Sequence, residues 1–147
     1  VKAGDALHEE FPLSHFENGK YQIDVHGPNG FYRSFTGDAK TAGVKVSAAY
    51  EWKGAALTGN VLLHLENTGA KPYTVTVIDH SYGAATVART IAAGQKRSVA
   101  LDLEGNHSWY DFTVKAEGAE GAAHFAGRVE TGRSGFTDPL MGRVKPA

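Results

Sequence analysis

The chain has 147 residues, 41% hydrophobic and 21% charged, a length that argues for one domain and a balance that excludes wholesale disorder. Fifteen Lys and Arg against sixteen Asp and Glu leave a net charge of -1, which argues against nucleic acid as a partner, because phosphate binding needs a surplus of positive charge. Zero Cys rules out disulfides, thiolate metal sites and a cysteine nucleophile, and no apolar run approaches the roughly 20 residues of a membrane helix.

In chain order, the first candidate elements are a hairpin over Tyr21 to Gly37, turning at Gly27-Pro28-Asn29-Gly30. Strict alternation then begins. Val44, Val46, Ala48, Tyr50 and Trp52 share one strand face, opposite Lys45, Ser47 and Glu51. After a break at Lys53-Gly54, Val61, Leu63 and Leu65 alternate with His64 and Glu66. Asn67-Thr68-Gly69 ends that strand, with Gly suited to a positive φ. Tyr73, Val75 and Val77 alternate with Thr74 and Thr76, and Asp79 to Ala85 has room for a single turn. Val99, Leu101 and Leu103 form the next apolar row, between glycine turns at Ala93-Gly94-Gln95 and Glu104-Gly105-Asn106. Tyr110, Phe112 and Val114 alternate with Asp111 and Thr113, and residues 117–122 read as a connector. Period-two patterning with one greasy and one wet face predicts an all-β fold: an antiparallel β-sandwich of about eight or nine strands with little helix.

Two segments echo one another. YQIDVHGPNGFYRSFTG (residues 21–37) and YDFTVKAEGAEGAAHFAG (residues 110–127) each open on Tyr, place apolar residues two and four positions later, and close on Phe-x-Gly. The echo predicts a duplicated unit, with residues 1–43 as the terminal hairpin of a first, truncated repeat and 44–147 as a complete second repeat with a C-terminal tail. An isolated hairpin is marginal in water, so the first must pack on the second unit or pair through a free edge. The start at Val1, without Met, reads as a cut from something longer.

The candidate chemistry is sparse. Seven His stand at 8, 15, 26, 64, 80, 107 and 124 without HxH or HExxH spacing. Asp79-His80 is the nearest carboxylate–imidazole pairing, and neighbours on a strand point to opposite faces. Gly132-Arg133-Ser134-Gly135 lacks the GxSxG spacing of a nucleophile elbow. No residue qualifies as a catalytic group, a metal ligand or a cofactor ligand. Phe31, Tyr32 and Arg33, just past a turn, suit contact with lipid headgroups or a neighbouring domain. The alternative is that Phe31 and Phe35 face the core while Tyr32 cradles the sheet edge. Trp109 is the further contact candidate, beside a core Tyr110, and Arg128 and Glu130 suit a cross-strand ion pair.

The motifs carry a resemblance. HGPNGFYRSFTG (His26 to Gly37), then SWYDFTV (Ser108 to Val114), FAGRVETG (Phe125 to Gly132) and TDPLMG (Thr137 to Gly142), resemble in their order the C-terminal end of bacterial phosphatidylcholine-hydrolysing phospholipases C of the non-haemolytic type. Ser108 stands where that pattern commonly has Gly, and Thr137 where it commonly has Ser. The resemblance implies a non-catalytic accessory domain following a large phosphoesterase domain of the same chain, in a secreted or periplasmic bacterial enzyme. Its partners would be that upstream domain and a phospholipid membrane surface. Two other readings are an independent carbohydrate- or lipid-binding module and a self-sufficient hydrolase; the sparse chemistry weighs against the last.

Overall fold

The computed structural model describes residues 2, 5–41, 43–141 and 143; Val1, Gly142 and residues 144–147, which figure in the readings above, lie outside them. Among the described residues nine strands form: β1 (Tyr21–His26), β2 (Tyr32–Gly37), β3 (Val44–Lys53), β4 (Ala56–Asn67), β5 (Tyr73–Asp79), β6 (Val87–Ile91), β7 (Lys96–Leu101), β8 (Trp109–Ala116) and β9 (Ala122–Arg128). They make a six-stranded sheet in the order β1-β2-β9-β8-β5-β6 and a three-stranded sheet in the order β3-β4-β7. All pairings are antiparallel. The helical content among the described residues is three short 3-10 turns, at Leu13–His15, Glu17–Gly19 and Glu104–Asn106.

The alternating rows meet between the sheets as expected. Val61, Leu63 and Leu65 of β4 are almost wholly buried against Val75 and Val77 of β5, Tyr110, Phe112 and Val114 of β8 and Phe125 of β9. Phe112 and Phe125 stack with centroids 5.4 Å apart, and Phe35 meets Phe125 edge-on at 5.9 Å. Such offset and edge-on pairs add to the area they bury.

Four local expectations are corrected. Trp52 leaves the buried row and is 61% exposed, because the β3–β4 register shifts between Tyr50 and Trp52. A bulge places extra residues of one strand against fewer of the other and so reverses which face follows. Gly69 does not take a positive φ. The turn is made instead by Asn67, whose Oδ1 accepts the Gly69 N–H at 2.9 Å; Gly69 is needed for room, since a Cβ there would lie 3.2 Å from that oxygen. Near Glu104–Asn106, His107 (φ 53°) and Ser108 (φ 68°) take the left-handed conformations in place of Gly105. Asp79 to Ala85 holds no helical turn: Asp79 Oδ2 accepts the N–H groups of Tyr82 and Ala84 and shapes a bend.

Asn67 is a wholly buried polar side chain. Its Nδ2 donates to the carbonyls of Lys71 (2.8 Å) and Ile91 (3.0 Å). Its backbone N–H donates to Gln95 O, and its carbonyl accepts from Gly94 N–H, both at 2.9 Å. Asn67 thus ties the β4–β5 turn to the β6–β7 turn, both of which cross between the two sheets, with every polar atom satisfied. Replacing it by Leu strands three backbone groups in the interior. Asn67→Leu is expected to lower stability by about 3 kcal/mol, read as a drop in the urea midpoint at unchanged slope.

Candidate functional site

The four residues singled out from the sequence divide between two faces of the six-stranded sheet. Phe31 and Arg33 come together on the inner side. The Arg33 guanidinium lies 4.2 Å from the Phe31 ring centroid, 5.1 Å from that of Phe125 and 5.4 Å from that of Tyr110. Nη1 donates to Tyr32 O (2.7 Å) and Ala126 O (2.9 Å), and Nη2 to the Tyr110 hydroxyl (2.8 Å). Its fork is therefore directed into the protein rather than held out for a phosphate.

Tyr32 faces the other way, because successive residues of β2 alternate. Its hydroxyl donates to Asp24 Oδ1 at 3.0 Å, and its ring meets His26 at 4.9 Å and His124, edge-on, at 5.2 Å. Trp109 is half-buried. Its indole N–H donates to Phe136 O at 3.0 Å, its ring lies 6.0 Å from the Arg128 guanidinium, and Gly30 sits close to its edge. Arg128 approaches Glu130 at 3.7 Å; the partners are two residues apart on one chain segment rather than on facing strands. The Arg128 Nε is buried and has no hydrogen-bond partner among the described residues.

Around Tyr32 the outer face carries a polar row that single-strand patterns did not reveal. His124 Nε2 meets Asp111 Oδ1 at 2.6 Å, and Ser81 donates to Asp111 Oδ2. His80 Nε2 meets Thr113 Oγ1 at 2.6 Å, and its ring lies 5.2 Å from that of His124. Thr113, read from alternation as a wet-face residue, is buried, with His80 bonded to its hydroxyl. The signal that could have found the row is the β8–β9 register: Thr113 faces His124 and Asp111 faces Ala126, so Asp111 and His124 are diagonal neighbours.

The electrostatics follow these contacts. The Asp24 carboxyl is held below the usual carboxylate range, first by the Ser34 hydroxyl; partial desolvation opposes this, and Gln22, Tyr32 and His26 assist. Burial raises the Tyr50 and Tyr82 phenols above their ordinary range, Tyr82 further because it faces Asp138. His64 is exposed and bonds Ser98 across the β4–β7 pair, as a solvated sheet residue does. In the Ser81–Asp111–His124 group, hydroxyl and imidazole occupy opposite oxygens of one carboxylate. His124 is thus not placed to take the Ser81 proton, the contact that nucleophilic activation requires. Among the described residues, no group of three or more His, Asp or Glu could hold a metal ion.

Comparison with known proteins gives a consistent picture. The family described as bacterial phospholipase C, C-terminal domain, matches residues 1–38 and 44–128. A non-hemolytic phospholipase C of Pseudomonas aeruginosa is 40% identical over 97% of this chain and 21% of its own length. A hemolytic phospholipase C of the same organism is 34% identical over 94% of the chain and 19% of its own. A non-hemolytic phospholipase C of Burkholderia pseudomallei is 35% identical over 82% of the chain and 18% of its own. The chain thus spans about a fifth of the length of these curated relatives.

Lys keeps the charge of Arg33 but cannot reproduce a planar fork stacked on aromatic rings. Arg33→Lys is expected to cost about 1–3 kcal/mol of stability in denaturant titration, a loss that a merely exposed headgroup ligand would not show.

Proposed function

The chain belongs to the family of bacterial phospholipase C C-terminal domains, and on that premise we propose that it is a non-catalytic accessory β-sandwich of a secreted or periplasmic phospholipase C. The parent enzyme hydrolyses phosphatidylcholine to diacylglycerol and phosphocholine, and its phosphoesterase domain lies upstream on the same polypeptide. The observation that carries this reading is the coverage: nearly the whole chain aligns, yet on only about a fifth of each relative. The remaining length is where the catalytic machinery resides. The division of Asp111 between Ser81 and His124 supports the same conclusion from the chain's own residues.

Within the parent, the domain's main role is to stabilise the enzyme through contact with the phosphoesterase domain. The inward commitment of Arg33 and the indole bond of Trp109 favour a supporting part over a headgroup site. Membrane engagement is a secondary contribution of Tyr32 and Trp109, whose amphipathic rings suit an interface, and of the half-buried apolar ring of Phe31. The break in the family match between residues 38 and 44 is in line with a boundary between two repeats at 1–43 and 44–147.

The purified chain is expected to release no phosphocholine from phosphatidylcholine vesicles or from a soluble chromogenic analogue. Turnover that co-purifies with the chain and survives a contaminant control would overturn the assignment. Weak co-sedimentation with phosphatidylcholine vesicles, reduced by alanine at Phe31, Tyr32 and Trp109, is the expected sign of the membrane contribution; sedimentation indifferent to all three removes it.

A further inference from the structure

Where β9 meets the segment that follows it, one cation is left poorly served by the protein. That segment is fastened back onto the sandwich at four points. Val129 N–H donates to Ser108 O at 2.9 Å, Phe136 O accepts the Trp109 indole N–H, the Phe136 ring lies 4.4 Å from that of His107, and the Tyr82 hydroxyl donates to Asp138 Oδ1 at 3.2 Å. So held, the segment brings the Gly135 backbone against the Arg128 guanidinium; a Cβ on Gly135 would overlap that group. The Arg128 side chain is only 16% exposed, its Nε has no hydrogen-bond partner among the described residues, and Glu130 stands off at 3.7 Å, beyond a charge-assisted hydrogen bond. Arg33, by contrast, directs its fork to two carbonyls and a hydroxyl. A guanidinium withdrawn from water without hydrogen-bonded partners is unfavourable, and an arriving oxyanion relieves it.

A cleft of about 430 Å³ opens onto this guanidinium, a size usual for small-molecule sites. Its lining includes the Asn29 amide and the Thr137 hydroxyl, further donors for an oxyanion. It also includes Glu130, whose side chain is 51% exposed, and the rings of Trp109 and Phe136. Phe136 is 64% exposed, one of the few large apolar side chains left open to water among the described residues. Asn29 holds Glu130 loosely, Nδ2 to Oε1 at 3.4 Å, so both charges of the Arg128–Glu130 pair remain open to a second partner.

These groups discriminate among anions. Inorganic phosphate gains Arg128 but adds negative charge beside Glu130. A zwitterion gives Arg128 an oxyanion and Glu130 a cation, and replaces one long ion pair by two short ones. Aromatic faces attract a cation yet are poor acceptors for its N–H groups, so a methylated ammonium suits Trp109 and Phe136 better than a primary amine does.

We infer that this cleft binds the phosphocholine group, with the phosphate on Arg128, Asn29 and Thr137 and the trimethylammonium between Glu130 and the rings of Trp109 and Phe136. The domain would then hold the product of the parent enzyme, or the lipid headgroup from which that product is cut. This role, though not the binding itself, rests on the reading of the chain as the accessory end of a phosphatidylcholine-hydrolysing phospholipase C.

Phosphocholine titrated into the 147-residue chain is expected to shift the Trp109 indole N–H resonance saturably, with a Kd of about 1 mM or below, while the resonance of Trp52, which does not line the cleft, stays in place. Inorganic phosphate alone and choline alone are each expected to bind about tenfold more weakly or worse. Glu130→Gln and Arg128→Lys are each expected to weaken phosphocholine binding about tenfold. The Glu130 side chain is half exposed, so its variant keeps the fold and the comparison stands even where Arg128→Lys destabilises the chain. Phosphatidylcholine vesicles distinguish the source of the group: vesicles that leave the phosphocholine affinity unchanged mark a site for the free product, vesicles that compete with it mark a headgroup site, and either result supports the assignment. No saturable shift at on the order of 10 mM phosphocholine, inorganic phosphate binding as tightly as phosphocholine, or an affinity unchanged in Glu130→Gln overturns it. Turnover by the chain overturns the accessory reading alone, because it is measured as released phosphocholine and not at the indole resonance.

Discussion

The seam between β2 and β9 is the contact on which the six-stranded sheet depends. A two-stranded hairpin alone is marginal in water, and β1–β2 reaches the body of the sheet through β9. Arg33 reinforces that seam from within. Its guanidinium bonds to Ala126 O on β9 and to the Tyr110 hydroxyl on β8, and it stacks on Phe31 and Phe125. A cation placed over aromatic faces away from bulk water contributes on the order of 2 kcal/mol. The same bonds that join the hairpin to the sandwich turn this cation away from an external anion, so the packing of the seam bears directly on function.

Much of the fold was legible because period-two patterning and an antiparallel sandwich make the same demand on a sequence. Val61, Leu63 and Leu65 of β4, and Tyr110, Phe112 and Val114 of β8, were readable as core because each of these rows lies within a stretch of unbroken register. The pattern failed where register broke. Trp52 continues the apolar alternation in sequence, yet a bulge turns it to solvent. Asn67 looked like turn punctuation and is a buried clasp, because nothing local in Asn-Thr-Gly reveals that Ile91 O and Gln95 O will close over it.

The candidate site was less legible, for a different physical reason. Arg33 and Phe31 were visible as a pair, but whether a guanidinium faces inward depends on the partner strands. The row of Asp24, Tyr32, His124 and Asp111 is assembled across four strands and cannot be found within any one of them. A β-sandwich is shared by unrelated activities, so the fold alone does not assign a role. What is established for this one is the family, and a carboxylate that divides its two oxygens between a hydroxyl and an imidazole supports the proposed non-catalytic role.

The placement of the two tryptophans gives the molecule an internal optical contrast. Trp52 lies in water at the end of β3, whereas Trp109 is half-covered and hydrogen-bonded to the segment that follows β9. Emission from Trp52 is open to a soluble quencher, and Trp109, half-buried with its N–H bonded to Phe136 O, is less accessible to it. Detachment of that C-terminal segment would therefore register as a red shift from one indole while the other stays constant, separating loss of the tail from loss of the sandwich beneath it.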